Sequence, residues 1–132
     1  MNPVFQIAAS GLTAQSTRLA VSASNVANAR SLGVNPAPGA DNSAAFAPQR
    51  VQQISTADGG VRTETFPVTP PSIGVFDPSN PNADGAGLAF LPNVSLEAEF
   101  VEQIQASAAF KANLKVIQTQ DELLGTLVNI AS

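Results

Sequence analysis

Apolar residues recur at three- and four-residue steps near the start of the chain, where Phe5, Ala8, Leu12, Leu19 and Val26 form one stripe with Ala23 beside it. This spacing predicts a helix that begins at Pro3, is capped by Asn2 and fades near Asn28. Its other faces are crowded with Ala, Ser and Gly, small side chains that permit close helix approach or simply make an alanine-rich helix. A second helical pattern runs from Ser95, a capping residue followed by Glu97 and Glu99 in the first turn, to Ile130. At 1.5 Å per residue that helix is a rod of about 54 Å, longer than a compact domain of this size can cover.

The long helix carries two apolar faces. At about 100° per residue, Leu114, Ile117, Leu124 and Val128 share a side with Phe110, while Val116, Leu123, Leu127 and Ile130 fall on roughly the opposite side. The first helix, through Phe5, Leu12, Leu19 and Val26, is expected to cover one face as an antiparallel or intermolecular partner. The other face calls for a further molecule.

Between the helices the pattern changes. Nine of the ten prolines lie between Pro36 and Pro92, and seven of the nine glycines between Gly33 and Gly87. The chain thus divides into an N-terminal helix (1–30), a Pro/Gly-rich middle (31–93) and a C-terminal helix (94–132). Phe46 to Thr56 and Val61 to Val68 read as a β-hairpin joined at Ala57-Asp58-Gly59-Gly60, and Ile73 to Phe76 as a short strand. Ser31 to Ser43 and Asp77 to Gly87 read as loops. The turn at Asp58-Gly59 is expected to project from the helical layer and to accept insertions for only about 0.6 kcal/mol per doubling of loop length. The fold class is mainly α, with a small hairpin- and loop-rich middle.

Composition narrows function further. Charged residues make up 12% of the 132 positions, about half the usual share, so the surface is suited to being covered by neighbours. Ten acidic residues against six scattered basic ones give a net charge of −4, which offers no phosphate-binding stripe and no nucleic-acid partner. Without Cys, His, Trp or Tyr the chain lacks thiol and imidazole metal ligands, the usual proton shuttle and disulfides. Asp77, Asn80, Asn82 and Asp84 resemble a calcium loop only superficially, since the bidentate Glu and flanking helices are missing, and Glu97, Glu99 and Glu102 are no metal set. Gly85-Ala86-Gly87 lacks the surroundings of a nucleotide fingerprint. No catalytic, cofactor or metal site is expected. The start of the chain has no basic segment, and no apolar run spans a membrane, so composition alone points to the cytoplasm.

Two polar positions stand out. Asn25 and Asn28 at the end of the first helix suit either C-terminal capping or side-chain contacts that set how the chain leaves the helix towards a neighbouring subunit. Asn113, amid apolar residues, suits either a register-fixing role or plain exposure.

Ser10-Gly11-Leu12-Thr13-Ala14-Gln15-Ser16-Thr17-Arg18-Leu19, followed by Ala23-Ser24-Asn25-Val26-Ala27-Asn28-Ala29, resembles the N-terminal signature shared by the rod and hook proteins of the bacterial flagellum. Phe76 to Gly85, Leu91-Pro92-Asn93-Val94 and Ala109-Phe110-Lys111-Ala112-Asn113 narrow the resemblance to the short, proximal members of the basal-body rod family. Phe76 and Phe110 stand where that family leads one to expect Tyr. The resemblance implies export by the flagellar type III apparatus without cleavage and assembly into the periplasm-spanning rod, which replaces the cytoplasmic assignment. It also implies a hollow shaft in which terminal helices of many subunits pack as a coiled-coil-like tube around the export channel, with copies of itself and sister rod proteins as partners. The expected assembly residues are Phe5, Leu12, Leu19, Asn25, Val26, Asn28, Phe100, Phe110, Asn113, Leu114, Val116, Ile117, Leu123, Leu124, Leu127 and Val128. Another short axial protein, or a soluble helical adaptor gripping a client, would share the open apolar stripes.

Overall fold

The computed structural model describes residues 3–34 and 45–131. The order is α1 (Pro3–Asn28), β1 (Gln49–Ser55), β2 (Val61–Pro67), β3 (Ser72–Phe76), β4 (Leu88–Pro92) and α2 (Leu96–Ala131). Pro3 opens α1 as expected, while its cap Asn2 and the greater part of the loop from Ser31 to Ser43 lie outside the described residues. Ser95 caps α2, its Oγ accepting the Ala98 N–H at 3.3 Å. The Glu97 carboxylate is held below the usual carboxylate range by its own backbone N–H and then by the Ser95 hydroxyl, at the end of the helix that favours negative charge.

The two helices pack antiparallel, Gly11 lying opposite Asn113, Arg18 opposite Glu102 and Ser22 opposite Glu99. The stripe that α1 turns to α2 shares only Ala8 with the predicted one. Ala8 is buried with Gly11, Gln15 and Ser22, and the line of Gly11, Gln15, Arg18 and Ser22 sits about 80° round the helix from Phe5, Leu12, Leu19 and Val26. Small side chains win the inner position because they let the backbones approach: a Cβ on Gly11 would come within 2.7 Å of Asn113 Nδ2. A leucine seam would hold the helices further apart. The buried apolar residues of the helices are accordingly small, Ala8, Ala14 and Ala106 among the described residues, and the middle region adds Ala45, Pro48, Ala89 and Pro92.

The β1–β2 hairpin is antiparallel, with Gln49 opposite Pro67 and Ser55 opposite Val61, as the alternation predicted. Its turn does not project. Gly59 and Gly60, at φ of 77° and 105°, lie against the first turns of α1, where a Cβ on Gly60 would meet Ser10 Oγ at 2.6 Å. Ser10 Oγ also accepts the Val61 N–H at 3.1 Å. An insertion at the turn therefore disturbs packing as well as loop length. The sequence offered no sign of this, because turn-forming glycines look the same in water and against a helix.

The strand at Ile73 has a partner that the sequence reading missed. β3 pairs antiparallel with β4, from Ser72 opposite Pro92 to Phe76 opposite Leu88, and Gly33 bridges the far side of β4 through two bonds of 3.0 Å with Phe90. The intervening loop uses its polar groups on itself: Asp84 Oδ1 accepts the N–H groups of Ala86 and Leu88, and Asn80 Oδ1 that of Asn82. The apparent calcium loop is a chain of turns.

Two outcomes are expected of the isolated chain. Gly60→Ala, which imposes a side chain on a left-handed residue and breaks the Ser10 contact, should lower unfolding free energy in urea by about 1–3 kcal/mol. Hydrogen exchange in a dilute monomer should show protection across Gln103–Asn113 and near-intrinsic rates beyond Gln120, where α1 no longer covers α2.

Candidate assembly surface

The seam is held by polar side chains at one end and by fit at the other. Arg18 forms a two-pronged ion pair with Glu102, Nε to Oε1 at 2.5 Å and Nη2 to Oε2 at 2.8 Å, while its Nη1 donates to Gln15 Oε1 at 2.9 Å. The Glu102 carboxylate, hydrogen-bonded to the guanidinium, raises Arg18 above its ordinary value. One turn on, Ser22 Oγ donates to the Glu99 carbonyl and accepts Gln103 Nε2, both at 3.2 Å. Such bonds have direction, so they fix register where alanines alone would let the helices slide.

Asn25 and Asn28 do different things. Asn28 Nδ2 returns to the Ser24 carbonyl at 2.9 Å, a local bond at the helix end. Asn25, 1% exposed, donates from Nδ2 to the Gln49 carbonyl and to Glu99 Oε1, both at 2.8 Å, and accepts the Gln49 N–H at 3.1 Å. It therefore faces the interior of its own chain and not the outer surface. Arg18, Val21, Asn25, Gln49, Val51 and Glu102 line an open polar cleft of about 400 Å³ between α1, β1 and the start of α2.

The hairpin covers one flank of α1, through Ile7, Ser10 and Asn25. The other flank carries the predicted stripe, with Phe5 45% exposed and Leu12, Leu19 and Val26 half-buried. On α2, Phe110, Asn113 and Ile117 are half-buried against α1. Phe100, Leu114 and Val116 are exposed outside the seam. Since Gly11 faces Asn113, Pro3 comes opposite the stretch between Ile117 and Asp121, and α2 runs on beyond the described part of α1. Residues 121–130 are all exposed, among them Leu123, Leu124, Leu127, Val128 and Ile130. Leu124 and Val128 continue the line of Phe110 and Ile117, so the seam itself extends beyond its partner as aliphatic surface.

This arrangement suits association. Among the described residues no group of three acidic side chains could hold a metal ion, and no helix is long and apolar enough to cross a membrane.

Breaking the ion pair from one side leaves a half-buried guanidinium without its carboxylate. Glu102→Ala should lower unfolding free energy by about 1–2 kcal/mol, and the deficit relative to the parent chain should shrink in high salt.

Comparison with known proteins finds family matches at both ends of the chain. Residues 5–29, within α1, match the family described as Flagella basal body rod protein, and residues 91–130, which include most of α2, match that described as Flagellar basal body rod FlgEFG protein C-terminal. The chain is 41% identical over 126 residues to the flagellar basal-body rod protein FlgC of Yersinia enterocolitica, a match covering 92% of this chain and 90% of the relative. It is 37% identical to FlgC of Salmonella typhimurium over 126 residues, with the same coverage. It is 33% identical to FlgC of Agrobacterium fabrum over 139 residues, covering 98% of this chain and 94% of that one. These matches span nearly the full length of both partners, helices and middle region alike, and the chain belongs to the FlgC family of flagellar basal-body rod proteins.

Proposed function

We propose that this structural subunit of the flagellar basal-body rod is held among its neighbours by the apolar surfaces its helices leave open. These are the flank of α1 at Phe5, Leu12, Leu19 and Val26, and on α2 Phe100, Leu114, Val116, Leu123, Leu124, Leu127 and Val128. Phe110, Asn113 and Ile117 support them from the seam. The observation that carries the reading is the run of α2 beyond α1, where aliphatic side chains continue an existing helix seam with nothing among the described residues to cover them. Burying each such side chain contributes on the order of 1.5–3 kcal/mol, and a free chain forgoes all of it.

In this reading the helices, residues 1–30 and 94–132, form a coiled-coil-like layer of a tube around the export channel, and the middle region, 31–93, lies outside it. Neighbours are further copies and sister rod proteins. The shortage of charge supports close lateral contact, because few side chains would need to be desolvated as ions when subunits pack. The small buried core supports passage through the flagellar type III export apparatus as an unfolded chain, without cleavage, with the fold completed on assembly.

Leu127→Asp and Leu114→Asp separate the two stages. A carboxylate at either position is harmless in the free chain, where both sites are exposed, but costs several kcal/mol when a neighbour buries it. Both variants should be exported at normal levels and be missing from purified basal bodies of a strain lacking the native gene, with motility lost. Normal motility from either variant would remove that position from the interface.

A further inference from the structure

We propose that Asn25 is a positioning residue that sets the attitude of the β1–β2 hairpin on the helix pair, serving Gln49 as a substitute for a neighbouring strand and tying it to α2 through Glu99. Across the hairpin, Val68 N–H donates to the Pro48 carbonyl and Thr56 N–H to that of Gly60. By alternation, the even-numbered residues of β1 turn their backbone groups towards β2 and the odd-numbered ones turn theirs away. Gln49 is therefore an edge residue, and an edge residue's N–H and C=O lack a strand to pair with. The Asn25 carboxamide presents one acceptor and one donor to that pair, in the manner of a peptide group, at 3.1 and 2.8 Å. Its second N–H goes to Glu99 Oε1 at 2.8 Å, so one buried amide joins α1, α2 and β1.

The far end of the hairpin is fastened separately. Ser10 Oγ accepts the Val61 N–H, and Val61 lies opposite Ser55, an odd-numbered residue, so this contact is on the outer edge of β2. Ser10 and Asn25 are about 22 Å apart along α1. The helix thus crosses the hairpin from the free edge of one strand to the free edge of the other. Two fastenings define a direction and one leaves a pivot, so loss of Asn25 frees the hairpin's base while its turn stays on Ser10. This deepens the assembly reading, in which the middle region must point outward from the helical layer at a set angle.

Hydrogen exchange on the free full-length chain tests the fastening without reference to assembly. In Asn25→Ala the Gln49 amide should exchange about ten- to a hundredfold faster than in the parent chain, with Val61 protection and helical circular dichroism retained. Asn25→Asp keeps the acceptor for Gln49 N–H but sets a carboxylate against Glu99. Adding Glu99→Gln supplies a donor to that carboxylate and should recover part of the Gln49 protection lost in Asn25→Asp. Complementation of a strain lacking the native gene should follow the same order, with motility poorer in Asn25→Asp than in the double variant. Unchanged Gln49 exchange in Asn25→Ala, no recovery on adding Glu99→Gln, or loss of helix content along with the hairpin would each overturn the proposal. Exchange behaving as expected while Leu127→Asp remains motile would instead count against the helical interface and leave the fastening standing.

Discussion

Ala8, Gly11 and Ser22 on α1, with Ala106 on α2, present so little side chain that the two backbones come close enough for a Cβ at Gly11 to collide with Asn113. From this close approach the rest of the molecule follows. A seam of small residues removes little apolar surface from water, so it needs directional bonds to hold register, and the Gln15, Arg18, Ser22, Asn25, Glu99, Glu102 and Gln103 network supplies them. The large aliphatic residues, excluded from the inner position, are left on the flank of α1 and around α2. A globular helical hairpin puts its leucines inside and its serines outside, and this one does nearly the reverse. In the proposed assembly, neighbouring subunits supply the apolar burial that this chain alone forgoes.

Elements with strong periodicity were legible in the sequence. Pro3 at the start of α1, Ser95 as the cap of α2, the hairpin around Asp58-Gly59 and the strand ending at Phe76 all announce themselves through local chemistry. The seam did not. Hydrophobic spacing locates the stripe a helix most needs to bury, and at Phe5, Leu12, Leu19 and Val26 that stripe is real, but its own chain covers it only in part. The crowding of Ala, Ser and Gly allows close helix approach, but it does not say that Ala8, Gly11, Gln15 and Ser22 take the inner face in place of the leucines. That choice depends on a distance between backbones, which belongs to tertiary structure. β4 is hidden for a related reason: Leu88-Ala89-Phe90-Leu91-Pro92 lacks alternation, the turn at Asp84–Gly87 before it ends a long loop and not a short hairpin, and it is placed by pairing with β3 and with Gly33.

Asn25 shows how local and distant roles can share one signal. An asparagine near a helix end reads as a cap, and its neighbour Asn28 makes just such a local bond. Asn25 lies three residues earlier, almost a full turn back, and that offset is enough to aim its carboxamide at β1 and Glu99. The hairpin is thus hydrogen-bonded to α1 at both ends and linked through Asn25 to Glu99, whereas the sequence leads one to expect its turn at Asp58-Gly59 to project from the helical layer.

The central claim is that the aliphatic surface of α2 beyond α1 is open in the free chain and closed in the rod. The chain has no native cysteine, so a single Leu124→Cys label reports on that surface without background. Maleimide modification should be fast in the free exported protein and strongly suppressed in intact, purified basal bodies, returning when the rod is dissociated. Equal labelling rates in the free and assembled states would contradict the account, since the surface on which assembly is said to depend would then remain in contact with water.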